Sequence, residues 1–402
     1  MFDASRLTVS LVDIDDTSRL AHRWLDLQQR SRHSYFTSWG WVRCRLACLP
    51  ESVRPRALVA EDCGRTVGLA LLHHQRHRRR KVIVSNGLFL NETGVDELDS
   101  LTVEHNGLLA DTTIASEVKR ACLTFLLNQV SDWDELVVSG VDADGKLSHC
   151  LDAPPPGIRR HVVKECACHT VDLAELRASQ VDYLSKLSSN TCQQVRRAMR
   201  LYEQSGPLEL FEATTPAEAA RFFDEMKRLH AVYWQAKGQS GAFANAFCDR
   251  FHSELISNRW PHGEIQLLRV QAGSHVLGYL YNFVYQGRVY CYQSGFDYDT
   301  DPKRKPGMIC HVLAAQHNAA RGASVYDFLG GDARYKASLS TTSSTLRWLV
   351  WQRLRWRFQL EDALRLIKHR FRILNSSAIA ESSIKPIDPN QPTGTLPVTV
   401  KD

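Results

Sequence analysis

The residues best equipped for chemistry lie in one stretch near the end of the chain, "SGFDYDTDPKRKPGMICHVLAAQHNAARGASVYDFLGGDARYK", residues 294–336. Pro306 suits the first position of a helix, where its missing N–H is no loss, and Gly307 lets a ligand approach the backbone closely. The N–H groups of Gly307, Met308 and Ile309 are expected to converge on one anion, and Lys303, Arg304 and Lys305 add positive charge. Such a turn suits the phosphates of an activated carrier; a basic run ahead of a helix also reads as a solvated turn. Group transfer to an amine or hydroxyl needs a base, oxyanion donors and an acid for the leaving group. Asp327, at the carboxyl end of the strand pattern "SVYDF", is the candidate base, and Asp332 beyond Gly330-Gly331 is a second. Tyr335 is placed to protonate a leaving thiolate, and Lys336 to pair with a carboxylate. The plainer readings are a cap for Asp327 and packing for Tyr335.

On the acceptor side, His230 and Trp234 stand four apart, share a helical face and can line a cleft, although core packing gives the same spacing. Arg196, Arg197 and Arg200 form a cationic edge suited to an anionic sugar, a phosphate or RNA, or simply a solvated face. Cys166, Cys168 and His169 form a C-x-C-H cluster with no second ligand pair at zinc-finger spacing, so they read as a strand and no metal is expected. The basic run "QRHRRRK" (75–81) falls between two strand patterns and reads as a charged hairpin end.

These groups need a scaffold of strands and helices, in an α/β (α+β) arrangement. Residues 288–296 form a strand that places Val289, Cys291 and Gln293 on one face and Tyr290, Tyr292 and Ser294 on the other. Upstream, "RALVAEDCGRTVGLALLHH" is a hairpin turning at "DCGR", and "TTIASEVKRACLTFLLNQ" is a helix with Thr113 as candidate N-cap. "QLLRVQAGSHVLGYLYNFVYQG" followed by "RVYCYQSGFD" repeats the hairpin, with Gly64 matching Gly273 and one residue of slippage at Gly68 and Gly278. An internal duplication is therefore expected. It gives an N-terminal domain over 1–165, a C-terminal domain over 166–374 that includes an amphipathic helix at "EDALRLIKHRFRIL", and a disordered tail over 375–402.

The chain has 402 residues, 44% of them hydrophobic and 23% charged. At roughly 150 residues per domain this fits two domains, each with its own core. No apolar run approaches the roughly 18 residues of a membrane span, and the N-terminus lacks a signal-peptide pattern. A soluble, cytoplasmic protein is expected. Eleven scattered cysteines read as free thiols of a reducing compartment, and a net charge of +6 favours anionic ligands.

The stretch 294–336, with "TVDLAELRASQVDYLSKLSSNTCQQVRRAMRLYEQSG" and "HAVYWQAKGQSGAFANAFCDRFHSEL" upstream, resembles the CelD-like acetyltransferases of the GNAT superfamily, a type associated with cellulose biosynthesis. It is also similar to the Fem peptidoglycan-bridge transferases, which double the same fold. The resemblance implies a tandem duplicated GNAT fold, mixed sheets flanked by helices, with acetyl-CoA or another acyl-CoA as co-substrate in a cleft where two parallel strands splay. Pantetheine would pair with the strand edge at Gln293 and Ser294. The pyrophosphate would rest on Arg304, Lys305, Gly307, Met308 and Ile309, with Ile309, where Gly or Ala is usual, narrowing the approach. On the acceptor side stand Arg196, Arg197, His230, Trp234 and Tyr292. The implied activity is N- or O-acetylation of a sugar or amine in exopolysaccharide or cell-envelope metabolism. A polysaccharide synthase assembly is the implied partner, with peripheral attachment to the inner membrane. One site, in the second half, is expected to work. The alternatives are a Fem-like transferase using aminoacyl-tRNA, the one case with a nucleic-acid partner, and a non-catalytic scaffold.

Overall fold

Runs of β-branched and apolar residues, broken at turn residues, form thirteen strands among the described residues, and 3.6-residue periodicity forms the helices that cover both faces. The computed structural model describes residues 7–79, 83–150 and 152–360. Those up to Arg353 form one compact unit; a second unit begins at Leu354. The amphipathic helix expected after residue 360, the tail from 375, and Arg80 and Lys81 of the basic run lie outside the described residues.

The first half runs β1 (Leu7–Asp13), α1 (Thr17–Gln29), α2 (Trp39–Cys48), β2 (Arg56–Asp62), β3 (Arg65–Arg79), β4 (Ile83–Leu90), β5 (Leu109–Ala110), α3 (Ala115–Asn128), β6 (Glu135–Asp142) and α4 (Lys146–His149). The second runs β7 (Ile158–Asp172), α5 (Leu173–Ser179), α6 (Ser189–Glu203), β8 (Leu208–Glu212), α7 (Pro216–Gln235), α8 (Ala246–Arg259), β9 (Ile265–Ala272), β10 (His275–Tyr285), β11 (Arg288–Phe296), α9 (Pro306–Ala320), β12 (Val325–Gly330), α10 (Arg334–Leu339) and β13 (Thr342–Arg353). Thr113 does not cap α3. Its own N–H is accepted by Asp111, which caps the short turn ahead of the helix.

One mixed sheet joins everything, in the order β1-β2-β3-β4-β6-β13-β7-β12-β11-β10-β9-β8. Read from its two ends the order is the same: an antiparallel meander, a parallel step from β4 to β6 or from β11 to β12, then an antiparallel closing strand. The expected duplication is thus present, in a large mixed sheet flanked by helices. The closing strands are exchanged. β7 follows the first half in sequence but pairs with β12 of the second, while β13 pairs with β6 of the first, and the two pair with each other. β7 also crosses the expected boundary at 165/166.

The hairpins also explain the one-residue slip. Glu61 pairs with Thr66 and Ala60 with Gly68, leaving Val67 as a bulge; Gln271 pairs with Val276 and Val270 with Gly278, leaving Leu277. Gly68 is therefore the counterpart of Gly278. The turn glycines are not equivalent: Gly64 takes the second turn position after Cys63, both with positive φ, whereas Gly273 takes the first.

Strand alternation feeds separate cores. On β2, Ala57 and Val59 face a core shared by α1, α2, α7 and α8, whereas Leu58 and Ala60 face one built around α3. On β9, Leu267 joins the shared core and Leu268 the one under α9. Buried faces on both sides explain why these strands read as nearly continuous apolar runs. Each large side chain among them contributes about 1.5–3 kcal/mol by burial.

Candidate functional site

β11 and β12 are parallel and pair over only Arg288–Tyr290 against Val325–Asp327, after which they part. β11 is bulged just past this pairing, although β4 and β6 also pair over only three residues, Gly87–Phe89 against Glu135–Val137. Gln293 pairs with Tyr281 and Cys291 with Asn282, so Tyr292 is an extra residue that bends the strand. The alternation expected along 288–296 stops at this bulge, and Gln293 and Ser294 both reach the same cavity. β4, the counterpart of β11, keeps unbroken register with β3.

The gap holds a cavity of about 540 Å³. Cys291–Phe296 form one wall, and Phe328–Gly330 with Tyr335 and Lys336 form the other; His230, Tyr233 and Trp234 of α7 and Lys237 just after it cover it, and Thr102 and Glu104 enter from the first half. A second cavity of about 590 Å³ shares His230, Trp234 and Gln293 and is edged by Gly238–Ala242. In the first half the equivalent place is filled by the chain itself. Asn106 donates from its side chain to Leu90 O on β4 and from its N–H to Gly140 O on β6, and Asn91 donates to Asn106 and Gly107. Gly140 is required there, because a Cβ would lie 2.7 Å from Val103 O and its φ is +64°.

α7 is set by Thr215, whose hydroxyl accepts the Glu218 N–H, while Glu218 accepts from Thr214. It lies against β11 at Gly295, where a Cβ would meet Met226 O at 2.2 Å. His230 is pinned at both nitrogens. Nδ1 lies 3.1 Å from Ser294 O, and Nε2 accepts the Ala242 N–H at 3.3 Å. Burial lowers its pKa, so it is a neutral spacer between β11 and the 238–242 loop. Tyr292 lines the cavity, but its hydroxyl donates to Leu101 O at 2.5 Å and lies 3.2 Å from His252.

Tyr335 stacks parallel to His311 at 5.1 Å, and its hydroxyl has no hydrogen-bond partner among the described residues. Burial pushes its pKa far up, so it stays protonated and has a proton to donate. Lys336 binds carbonyls rather than the expected carboxylate: Nζ donates to Gly330 O at 2.7 Å and Leu329 O at 3.3 Å.

Asp327 is not on the cavity wall. It is fully buried, accepts from Arg288 at 2.7 Å, from His105 Nε2 at 3.0 Å and from the Leu329 N–H at 2.8 Å, and receives the Cys168 thiol at 3.3 Å. Burial alone would raise its pKa; His105, Arg288 and the Leu329 amide outweigh that and hold it well below the carboxylate range. Asp327 is therefore an anchor, and the role of base does not fit it. His105, Cys168 and Asp327 have the donor types of a metal site and lie within 4.8 Å of one another. Both carboxylate oxygens are already bonded, so a metal would have to displace Arg288 and the Leu329 amide. Asp332 is exposed and outside the cavity lining.

The basic turn lies beside the cavity, not in its lining. A Cβ on Gly307 would touch the ring of Phe296, which lines the wall, at 3.0 Å. The N–H groups of Gly307 and Met308 have no protein partner among the described residues. That of Ile309 donates to Lys305 O at 3.2 Å, so two amides converge where three were expected. The Ile309 side chain is fully buried under α9 and does not narrow the turn. Arg304 pairs with Asp299 at 3.4 Å and covers Tyr202, and Lys305 is half-buried. Arg196, paired with Asp182 at 3.4 Å, and the exposed Arg197 lie on α6, outside the lining. Sequence reasoning missed Glu104, Thr102, Tyr233 and Lys237. Tyr233 and Lys237 repeat the four-residue spacing of His230 and Trp234, with Lys237 in the turn that follows α7, a usable signal; Glu104 sits in a polar loop that carries none.

Residues 189–337 match the model of the acetyltransferase (GNAT) domain. No curated protein matches the chain. Among solved structures it is similar to the C-terminal domain of a putative lysylphosphatidylglycerol synthetase from Agrobacterium fabrum, at 13% identity over 88% of this chain and 95% of that one, with a TM-score of 0.50. It is also similar to FemX, at 10% identity over 85% and 97% with a TM-score of 0.55, and to a conserved protein of unknown function from Bacteroides thetaiotaomicron, at 9% over 86% and 100% with a TM-score of 0.50. At these identities the likeness is one of fold across both halves, while the match to the GNAT acetyltransferase domain falls within the second half.

Proposed function

We propose that the chain is a GNAT-type acyltransferase with one working site, in its second half. In this reading it moves an acyl group, acetyl in the simplest case, from acyl-CoA to an amine or hydroxyl of a sugar or amine acceptor in exopolysaccharide or cell-envelope metabolism, as its resemblance to the CelD-like family implies. The observation that carries the reading is the gap between β11 and β12, beside a helix start whose first two amides lack protein partners. The thioester arm fits along Gln293 and Ser294 past the bulge. The diphosphate fits the Gly307 and Met308 amides, with Arg304 and Lys305 nearby. Tyr335 donates its proton to the sulfur as the C–S bond breaks. Eleven free thiols suit a reducing, cytoplasmic setting, with a polysaccharide synthase assembly as the partner. Calorimetric titration with acetyl-CoA tests the reading: saturable binding competed by CoA is expected, and no heat at millimolar ligand overturns it. A Fem-like, aminoacyl-tRNA-dependent reading is favoured by one observation, the exposed Arg197 and Arg200 on α6. It requires charged-tRNA binding that weakens steeply with salt.

A further inference from the structure

We infer that Glu104, carried by the first half, is the catalytic base of the second half's cavity and takes the proton from the attacking acceptor. The inference rests on the acyltransferase reading above and adds what that reading lacks, since Asp327 is sealed away from the cavity.

Glu104 lines the cavity with Leu329, Gly330, Tyr335 and Lys336, and the residue is 7% exposed. One oxygen, Oε2, accepts the Gly330 N–H at 2.5 Å. The other, Oε1, has no hydrogen-bond partner among the described residues, and it is not among the polar atoms sealed from solvent. One oxygen thus fixes the side chain while the second faces the space a substrate would fill. Gly330 lets the contact be close: a Cβ there would lie 3.3–3.4 Å from both carboxylate oxygens and from Cys166 Sγ, and these would have to give by a few tenths of an ångström. The backbone is forced on both sides of the contact, with Thr102, His105 and Leu329 at φ of +48°, +47° and +61°. His105 then fastens the loop to Asp327, itself anchored by Arg288. His105 is a positioning residue in this arrangement. The groups facing Glu104 are the Gly330 amide, Lys336, His105 and Asp327. Burial raises its carboxyl above the usual range while the amide, Lys336 and His105 pull it back, which suits proton uptake nearer neutrality.

In the transfer, Oε1 takes the acceptor's N–H or O–H proton as that atom's lone pair bonds the acyl carbon. The C–S bond breaks with its electron pair on sulfur, and Tyr335 supplies the sulfur's proton. Glu104 and Tyr335 then return to their starting states by exchange with water.

The test is Glu104→Gln in the full chain, because the amide oxygen still accepts the Gly330 N–H while basicity is lost. Acetyl-CoA binding is measured by calorimetry, and thiol release from acetyl-CoA is followed across pH with glucosamine and hydroxylamine as probe acceptors. Expected are unchanged acetyl-CoA binding, a fall in kcat of about 10²–10³-fold, loss of the acidic limb of the pH profile, and partial rescue of Glu104→Ala by formate. His105→Gln is expected to lower kcat with KM for acetyl-CoA unchanged and to shift that limb. Wild-type binding with no thiol release, or equal release and pH profile in wild type and Glu104→Gln, overturns the role of Glu104. Absence of binding by the wild type overturns the reading beneath it.

Discussion

Asp327 shows how burial reverses the role that spacing assigns to a carboxylate. At the end of a strand it reads as a base, yet four donors fill its oxygens, of which Arg288, His105 and the Leu329 amide hold it ionised. Arg288→Ala leaves that charge short of a partner in the interior, and a loss of about 3–5 kcal/mol is expected in urea unfolding. The pair also sets a pH dependence. Burial opposes charge on His105, but the Asp327 charge and hydrogen bond prevail and raise its pKa. Its share of stability is thus complete below about pH 6.5, the unfolded value, and is lost as pH rises through the raised folded value. Asp327 works in the opposite sense: its share is present above about pH 4 and lost below it. His105→Gln should therefore flatten the decline of wild-type stability above about pH 6.5, as unfolding free energies across pH 6–9 would reveal. Tyr335→Phe separates packing from chemistry, since the ring keeps its stack on His311. Its melting temperature should stay near wild type while thiol release falls by about 10²-fold or more; an unchanged rate would leave Tyr335 with packing alone.

In both halves the parallel pair is three residues long; in the first, Asn106 bridges the strands beyond it, whereas in the second the gap stays open as a cavity beside a bulge. β11 carries it at Tyr292 and β4 has none. The hairpins, the helices and the duplication were legible, because turn glycines and alternation are local signals. Tyr335, Lys336, His230 and Trp234 were legible as candidates from local pattern, Gln293 and Ser294 from the family resemblance, and all six line one cavity. The bulge was not, since "RVYCYQSGF" alternates without interruption and only pairing with β10 reveals the extra residue. Nor was Glu104, whose bond to Gly330 spans 226 positions of sequence. The cavity also depends on how closely α7 lies on β11. Gly295→Ala would thrust a methyl to 2.2 Å from the Met226 carbonyl and 3.0 Å from the His230 N–H, backbone atoms of a helix that cannot yield singly. A loss of about 1–3 kcal/mol is expected from such overpacking. Weaker acetyl-CoA binding should accompany it, because His230 and Trp234 move with the helix.

At the scale of the molecule, the exchanged closing strands tie the halves together more tightly than a linker would. Each half is a meander with a parallel step, and the strand that should complete it comes from the other half. The shared core under α1, α2, α7 and α8 adds to this, with Phe36 and Trp41 of one half against Phe283 of the other. A cut between residues 165 and 166 would divide β7 within its pairing to β13, leaving unpaired backbone on both fragments. Neither 1–165 nor 166–374 alone should then give a folded, monomeric product, whereas the two co-expressed should associate. The intact chain should unfold in one cooperative step over residues 7–353, with calorimetric and van't Hoff enthalpies in agreement. Two resolved transitions, or a stable second half alone that binds acetyl-CoA as well as the full chain, would show that the exchange couples nothing. The first half would then be dispensable to the site, contrary to what the Glu104–Gly330 bond across the two halves requires.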